Sequence, residues 1–430
     1  MTAQLSRRDM FRYTAVGLGS VALLGAAAGC TPGSGTVTPP GGGDPTDFSF
    51  ATWGMSEEAS KPVLGAAIDA FAKKKGVSVA TPTYPYNDYL NQLTLQVRGG
   101  QFSGAAQLDV AWLAGLAALG KLRDLGSLTE GRGYIDAGLK AGQIDGKQVG
   151  LPWTIAAIGL LTNTELLEKA KVTTPPTTLE EFEEALRAIK GLGGGVIPYA
   201  ASTKTAQLKD IQIWMQTFGS TIIDGDKCTI GDAASVDAVT WYKKLFDEGL
   251  IAPDIDRAAA RTLFAQGRTA MYDDAPVGKP GVIGSSPDAD LDAKMSSMTR
   301  PVQKSGDTPR EALWGHIITV VEGEGAETAA EFAQWITSDD AQTVNYFTKL
   351  ALPPTTEKSL ASDAVKSDTF ISDFTERVTK DATGSPLWKY PQYAQMDAAI
   401  SEQVQAVLIG QSLPKDAMKT AGEAVQKLIG

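Results

Sequence analysis

Aromatic side chains recur near the ends of short apolar runs, a pattern that favours the binding of a small solute. Five tryptophans lie near predicted strand ends, hinges or a helix: Trp53, Trp112, Trp153, Trp214 and Trp314. A flat ring covers the apolar face of a ligand and leaves the ligand's polar edges free for hydrogen bonds. Five such rings are more than a core demands, although each of them could also pack inside one. We assign Trp241, Trp335 and Trp388 to packing, because they fall in helical patterns or a late loop.

Polar side chains near the same strand ends could hydrogen-bond the hydroxyl groups of such a solute. Asp273 and Asp274 are expected just after a strand, and Tyr86 lies on the loop after the second strand. Glu57 follows the first strand, where it could also do no more than complement a helix dipole. His316 could contact the ligand or be a structural histidine. Rings combined with fixed carboxylates are the groups that recognise sugars, so we predict a carbohydrate ligand.

The residue counts argue against metal, cofactor and nucleophile chemistry. The chain has one histidine and two cysteines, Cys30 and Cys228. A structural zinc site needs more of these side chains, and a histidine-activated nucleophile would have His316 as its only possible base. We therefore expect no metal, no cofactor and no enzymatic activity. We assign no role to Cys228, which is expected to be inert.

The length and charge of the chain point to a multi-lobed soluble protein. Its 430 residues exceed the size at which a single core usually stops growing, so we expect two domains. The formal net charge is −11, which argues against nucleic acid because duplex binding depends on lysine and arginine. Nothing in the composition indicates an obligate oligomer, and we expect a monomer.

The first 46 residues are predicted to direct export and anchoring. Arg7 and Arg8 precede an apolar stretch that is too short to span a membrane comfortably, which is typical of a cleaved signal. The pair resembles a twin-arginine signal, and the small residues before Cys30 resemble a lipobox. We predict a signal peptide over residues 1–29, and a lipidated Cys30 with a flexible tether over residues 30–46, because the Gly, Pro, Ser and Thr that dominate this stretch cannot form a core. The lipid on Cys30 would hold the protein at the outer face of the cytoplasmic membrane.

Beyond the tether, apolar runs alternate with helical periodicity, which predicts an α/β fold with a mainly parallel sheet. Near the N-terminus we expect strands over 48–53, 77–82 and 108–113. We also expect a first helix that ends near Gly76, and a second helix that Asn87 caps and that runs to Arg98. Thr178 and Glu181 have the spacing of a capping box, which predicts a helix beginning at Leu179. The sequence from Gln392 onward is almost wholly helical in pattern.

Several segments resemble, in the right order, the extracellular solute-binding proteins of ABC importers, the family that contains maltose-binding protein. The matching segments are Asp109–Trp112, Gly150–Trp153, Gly159–Leu166, Pro175–Glu181, Phe264–Met271 and Gly315–Thr319. Ala156 and Val277 depart from the pattern, since the maltose binder has an acid at the first position and an aromatic often stacks on the ligand at the second. These departures speak against maltose as the ligand.

The resemblance implies a periplasmic-binding-protein-like fold with two lobes, hinge crossovers and a ligand cleft between the lobes. The N-lobe would hold residues 47–153 plus 315–349, and the C-lobe residues 154–314 plus 350–430. Closure of the lobes would bury the ligand, and permease subunits of an ABC transporter would recognise the closed form. The resemblance thus implies delivery of a sugar or oligosaccharide to a transporter.

Two other functional readings stay open at this point. Asp273 and Asp274 could favour a cationic or other small solute on the same fold. The second alternative is a surface lipoprotein that acts as an enzyme or an adhesin. No motif in the sequence indicates the pair of carboxylates that glycoside hydrolysis requires.

Overall fold

The computed structural model describes residues 46–430. Arg7, Arg8 and Cys30, with the predicted signal peptide and nearly all of the tether, lie outside the described residues. None of the helices in the described part combines the length and apolarity that a membrane crossing requires.

Strands and helices alternate along the described chain. The strands are β1 Phe48–Ala51, β2 Val79–Ala80, β3 Gly104–Asp109, β4 Gln143–Ile144, β5 Lys147–Gln148, β6 Leu151–Asn163, β7 Ile197–Ala200, β8 Ile223–Asp224, β9 Lys227–Cys228, β10 Thr269–Asp274, β11 Met295–Met298, β12 Glu311–Val321 and β13 Ala382–Thr383. The first nine helices are α1 Lys61–Lys75, α2 Tyr86–Arg98, α3 Leu113–Ala117, α4 Asp136–Ala141, α5 Thr164–Lys169, α6 Leu179–Lys190, α7 Ile211–Thr217, α8 Ala233–Asp247 and α9 Arg257–Ala265. The others are α10 Gly278–Ser285, α11 Leu291–Lys294, α12 Ala326–Ser338, α13 Asp340–Leu350, α14 Glu357–Leu360, α15 Asp363–Lys366, α16 Thr369–Arg377, α17 Tyr393–Leu408 and α18 Pro414–Ile429.

One mixed sheet connects most strands in the order β2-β1-β3-β12-β6-β10-β7, with β11 beside β6 and β13 beside β12. The pairs β1–β2, β1–β3, β7–β10 and β12–β13 are parallel, but every pair that β6 makes is antiparallel. The prediction of a mainly parallel sheet is therefore wrong. The long strands β6 and β12 are antiparallel to each other, and together they join the two halves of the sheet.

The buried apolar residues form separate clusters on the two sides of these long strands. On one side, Phe50, Phe71 and Phe332 pack with α1 and α12 against β1 and β3. On the other side, Phe182 and Trp214 belong to a cluster that includes α6, α7, α8, α17 and α18. Each side thus has its own core.

Several local sequence signals are confirmed. Thr178 accepts the backbone N–H of Glu181, and the Glu181 carboxylate in turn accepts the backbone N–H of Thr178, so the capping box at the start of α6 is complete. Gly76 ends α1 with a φ of 70°, a left-handed conformation that glycine adopts without strain. The helical pattern from Gln392 corresponds to α17 and α18.

Two predicted positions near the N-terminus are wrong. The third strand lies at Gly104–Asp109, four residues earlier than expected, because its parallel pairing with β1 sets its position and the apolar run after it forms a turn and a short helix. Asn87 does not cap α2, since the helix begins at Tyr86 with Pro85 as its N-terminal boundary.

Candidate functional site

A small cavity lies beside the crossing strands β6 and β12. Its volume is about 80 Å³, well below the roughly 300 to 1,000 Å³ of common small-molecule sites. The polar and aromatic residues that line it include Tyr86, Asp109, Lys209, Asp210, Gln212, Arg257, Trp314, Trp388 and Tyr393. The wall thus combines aromatic, acidic and basic groups from distant parts of the sequence.

An aromatic cluster occupies the side of the cavity next to β1 and β3. Its rings belong to Trp53, Tyr86, Tyr89, Trp112, Trp314 and His316. The Trp53 ring centroid lies 5.4 Å from that of Tyr86 and 5.6 Å from that of Trp112. His316 lies between Trp53 and Trp314, with ring centroid distances of 4.9 and 4.5 Å. Five of the ten predicted site residues are thereby brought together, and of these Tyr86 and Trp314 reach the cavity wall.

Two capped turns, one after each of the parallel strands β1 and β3, position the rings of Trp53 and Trp112. After β1, the Thr52 side chain accepts the backbone N–H of Gly54 and caps the turn that holds Trp53. After β3, the Asp109 carboxylate accepts the backbone N–H of Ala111 and caps the turn that holds Trp112. Because β1 and β3 are parallel neighbours, both turns leave the sheet at the same edge.

Asp109 supports the aromatic side of the cavity. Its second carboxylate oxygen accepts a hydrogen bond from the Tyr86 hydroxyl at 3.1 Å, while the first accepts from Ala111. Asp109 is only 3% exposed, so little water reaches its carboxylate. The two hydrogen bonds supply a protein partner for each of its oxygens. Asp109 anchors the Tyr86 ring in the cavity wall.

Paired and unpaired charges form another part of the cavity wall. The Arg257 guanidinium donates to Asp210 at 2.5 Å and to the backbone carbonyl of Asp273 at 3.2 Å. Lys209 forms no ion pair within 4 Å among the side chains that the structure describes. Burial opposes the charge on Lys209, but Tyr393, Asp109 and the neighbouring carboxylates outweigh burial and raise the pKa of this lysine. Lys209 therefore stays a cation beside the cavity.

Gln212 connects the cavity wall to a second layer of polar groups. Its amide nitrogen donates to Asp397 at 2.8 Å, and its amide oxygen accepts from the Ser385 hydroxyl at 2.9 Å. Burial raises the pKa of Asp397 to about 7, against the opposing effect of Lys209. Gln212 is thus held in one orientation by partners on both of its polar atoms.

Two predicted site tryptophans lie in cores and not at the cavity. Trp153 is 1% exposed and stacks on Tyr346 at a ring centroid distance of 4.3 Å. It is the extra residue of a β-bulge, since His316 pairs with Thr154 while the next residue of β12 pairs with Pro152. Trp214 is also 1% exposed and packs between the rings of Phe182 and Trp241.

The predicted acids Asp273 and Asp274 are buried within β10, and arginines neutralise both. Asp273 pairs with Arg300 at 2.5 Å and accepts a hydrogen bond from the Tyr199 hydroxyl. Asp274 accepts two hydrogen bonds from Arg261, at 2.7 and 2.8 Å. These carboxylates do not line the cavity, and the expectation that they offer free negative charge to a ligand is wrong.

Glu57 is exposed and also lies away from the cavity wall. Partial desolvation raises the pKa of its carboxyl, while a hydrogen bond from the Ser60 hydroxyl and the Arg261 charge act in the opposite direction. The structure therefore does not bring Glu57 together with the aromatic cluster.

Several residues of the cavity wall were not predicted. Trp388 was assigned to packing, and Lys209, Asp210, Gln212 and Arg257 were not considered, yet all five line the cavity. Their signal in the sequence is weak, because they come from loops and helix starts whose partners are distant along the chain. Two basic residues, Lys209 and Arg257, are therefore present at the site.

The described residues contain no group of three or more histidine, cysteine, aspartate and glutamate side chains that could hold a metal ion.

A family model described as bacterial extracellular solute-binding protein matches residues 66–371. The chain belongs to this solute-binding family. A relative in Deinococcus radiodurans, named as a probable ABC transporter-binding protein, is 24% identical over 387 residues, which cover 84% of this chain and 89% of the relative.

Solved structures resemble this solute-binding protein over nearly their whole length. The GacH receptor of Streptomyces glaucescens, which was crystallised unliganded and with acarbose, has a TM-score of 0.80 at 21% identity, covering 89% of this chain and 98% of the receptor. The maltose-bound MalE3 of T. maritima has a TM-score of 0.79 at 19% identity, covering 89% and 99%. These similarities confirm the predicted two-lobed periplasmic-binding-protein fold.

Proposed function

We propose that this solute-binding protein captures a sugar or oligosaccharide in the cavity beside β6 and β12 and delivers it to the permease of an ABC importer. The observation that carries the proposal is the composition of the cavity wall. The same wall contains the aromatic rings of Tyr86, Trp314 and Trp388 and polar groups that include Asp210 and Gln212. Such a wall can cover the C–H faces of a sugar ring and hydrogen-bond its hydroxyls.

The pairing of charges favours a neutral ligand over a cationic one. Arg257 and Asp210 neutralise each other, and Asp109 has hydrogen-bond partners on both oxygens. Paired charges still offer fixed donors and acceptors, but they provide no net attraction for a cation, and the charged Lys209 repels one. The same pairing of Asp273 and Asp274 removes the feature that favoured a cationic solute.

Ligand entry requires the lobes to move apart. The cavity of about 80 Å³ corresponds to the volume of only a few water molecules, so a sugar cannot fit until the cleft widens. We propose lobes with the boundaries expected from the sequence, with residues 47–153 plus 315–349 in one and 154–314 plus 350–430 in the other. Hinge closure around the ligand is the motion that this arrangement supports.

The proposal includes the cell-surface location expected from the first 46 residues. The twin-arginine-like pair at Arg7 and Arg8 would direct export, and a lipid on Cys30 would retain the monomer at the outer face of the membrane. Metabolic labelling with a clickable fatty acid tests the anchor. Label on the wild type and its absence from Cys30→Ala would support it, and equal labelling of both would contradict it.

Ligand screening tests the binding function directly. The soluble chain from Thr31 is titrated with mono- and oligosaccharides, polyols, polyamines and short peptides while tryptophan fluorescence and melting temperature are recorded. A sugar that shifts both signals supports the proposal, because a ligand that prefers the folded state stabilises it. A response to polyamines or peptides alone would redirect it to another solute, and silence across the panel would contradict solute binding.

A pair of matched variants locates the site. Trp388 lines the cavity, whereas Trp335 packs against Phe71 in the core beside α1. Trp388→Ala should weaken the affinity for the sugar at least about tenfold, the effect of losing about 1.4 kcal/mol of ring contact. Trp335→Ala should lower the melting temperature and leave the affinity unchanged. Equal affinities in the two variants would place the sugar elsewhere.

A further inference from the structure

The single histidine of the chain lies on the cavity face of β12. His316 is the direct cross-strand partner of Asp109, and Trp314 is two residues before it on the same strand. Side chains of directly opposed residues, and of residues two apart on one strand, point to the same face of a sheet. Asp109 and Trp314 line the cavity, and His316, which does not, lies beside them on the same face of the sheet. A ligand that widens the cavity would approach this face.

A chain of hydrogen bonds determines which nitrogen of His316 carries the proton. The backbone N–H of Gly54 donates to the Thr52 hydroxyl at 3.0 Å, and that hydroxyl donates to the amide oxygen of Gln107 at 2.5 Å. The amide nitrogen of Gln107 then faces Nδ1 of His316 at 3.1 Å. An amide nitrogen only donates, so Nδ1 accepts and the hydrogen of a neutral imidazole lies on Nε2.

The surroundings of His316 keep the ring neutral. The residue is 6% exposed, and the rings of Trp53 and Trp314 contact it edge to face. Burial lowers the pKa of His316 to about 3. The Nε2–H has no hydrogen-bond partner among the side chains and backbone that the structure describes. Nε2 is also not fully buried, so a ligand can reach it.

We propose that His316 is a specificity-determining residue whose Nε2–H donates a hydrogen bond to an oxygen acceptor of the ligand, with Gln107 and Thr52 as positioning residues that hold this tautomer. The inference rests on the proposed sugar-binding function and deepens it. A fixed neutral donor selects a hydroxyl, ring or carbonyl oxygen at this point of the ligand and disfavours an ammonium group. A sugar or polyol carries such oxygens and is the ligand class that we infer.

The tautomer can be measured without any ligand. Because His316 is the only histidine, ¹⁵N-histidine labelling of an untagged protein gives imidazole signals from this residue alone. A two-bond ¹H–¹⁵N correlation spectrum should show the Nε2–H tautomer, unchanged from pH 8 down to about pH 5. An Nδ1–H tautomer, or protonation near pH 6.5, would overturn the inference.

Variants then test the hydrogen bond to the sugar identified in the screen. His316→Phe removes the donor and should weaken the affinity about tenfold, as the loss of one hydrogen bond in a desolvated site does. His316→Gln places an amide N–H near Nε2 and should restore most of the affinity. Gln107→Met removes the donor to Nδ1, and the affinity should fall in proportion to the loss of the Nε2–H population seen by NMR.

The outcomes separate this inference from the proposed function. If no sugar binds, the proposed function fails and the assignment of His316 to a sugar fails with it, whatever the tautomer. If a sugar binds but His316→Phe leaves its affinity unchanged and the ligand does not shift the imidazole signals, only the role of His316 is refuted. A His316→Phe chain that does not fold leaves His316→Gln and the ligand-induced shift to decide.

Discussion

A buried cluster of three ionisable groups lies behind the cavity, and we expect it to make the free energy of unfolding depend on pH. Arg300 is 1% exposed and pairs with Asp273 at 2.5 Å and with Glu311 at 3.3 Å. The same guanidinium donates to the carbonyl of Ile158, a residue of β6 that lines the cavity. One cation therefore faces two carboxylates in a place that water does not reach.

Glu311 is the carboxyl of this cluster that should hold a proton. Asp273 accepts the Tyr199 hydroxyl and lies closer to the guanidinium, while Glu311 accepts only the backbone N–H of Arg300, at 2.6 Å. Burial raises the pKa of Glu311 from 4.5 to about 8, and Arg300 offsets only part of that effect. At neutral pH the cluster then carries no net charge.

The sign of the pH effect follows from this raised pKa. Below pH 4.5 both the folded and the unfolded state hold the proton, so stability from this group is fully present. As pH rises toward 8 the unfolded state releases the proton first, and the free energy of unfolding falls by up to about 1.4 kcal/mol per pH unit. The total loss by pH 8 is on the order of 5 kcal/mol, after which the curve flattens.

Glu311→Gln should remove this slope, because glutamine resembles the protonated acid and does not titrate. Urea unfolding at pH 5, 6, 7 and 8 should show the variant gaining on the wild type with rising pH, by several kcal/mol at pH 8. Glu322→Gln is the control: its side chain is 54% exposed just after β12, and its curve should parallel that of the wild type. Parallel curves for Glu311→Gln and the wild type would refute the reasoning.

Three further predictions test local features of the fold. Thr178→Ala removes the capping box of α6 and should cost about 1 kcal/mol in urea unfolding; an unchanged midpoint would contradict the cap's contribution. Gly278→Ala would place a methyl group 1.9 Å from a carboxylate oxygen of Asp274 and should lower the melting temperature by several degrees, whereas Gly281→Ala on the same helix meets nothing within 4 Å and should not. The buried Cys228 thiol, whose pKa burial raises, should react with a thiol reagent only after urea is added, in a chain whose other cysteine is replaced by alanine.

Sequence reasoning succeeded where the physical cause is local. The capping box at Thr178 and the end of α1 at Gly76 depend on atoms within a few residues, so their signatures can be read directly. It failed for β3, whose position depends on pairing with a strand about 55 residues earlier in the chain. It failed for Asn87 because the fixed backbone of Pro85 already defines the start of the helix.

The candidate site could be predicted only in part, because only some of its features depend on residues that are close together in the sequence. Trp53, Trp112 and Trp314 were expected near strand ends or a hinge, and the structure brings them together, with Trp53 and Trp112 just after β1 and β3 and Trp314 within β12. The face of the sheet on which a ring lies depends on strand pairing, which the local sequence does not reveal. The bulge in β6 at Trp153, for example, arises from the pairing of β6 with β12. The charge of Asp273 was misread because its neutralising partner, Arg300, is distant along the chain.

The amino-acid sequence by itself determined the family, the alternation of strands and helices, and the chemistry available for binding, because these follow from residue types and short spacings. Only the tertiary structure decided which rings reach the cavity, which acids are already paired, and that His316 presents a fixed N–H donor. Those properties arise from contacts between segments far apart in the chain. The energies of these contacts depend on burial and on neighbouring side chains, which come together only when the long strands β6 and β12 pair at the centre of the sheet.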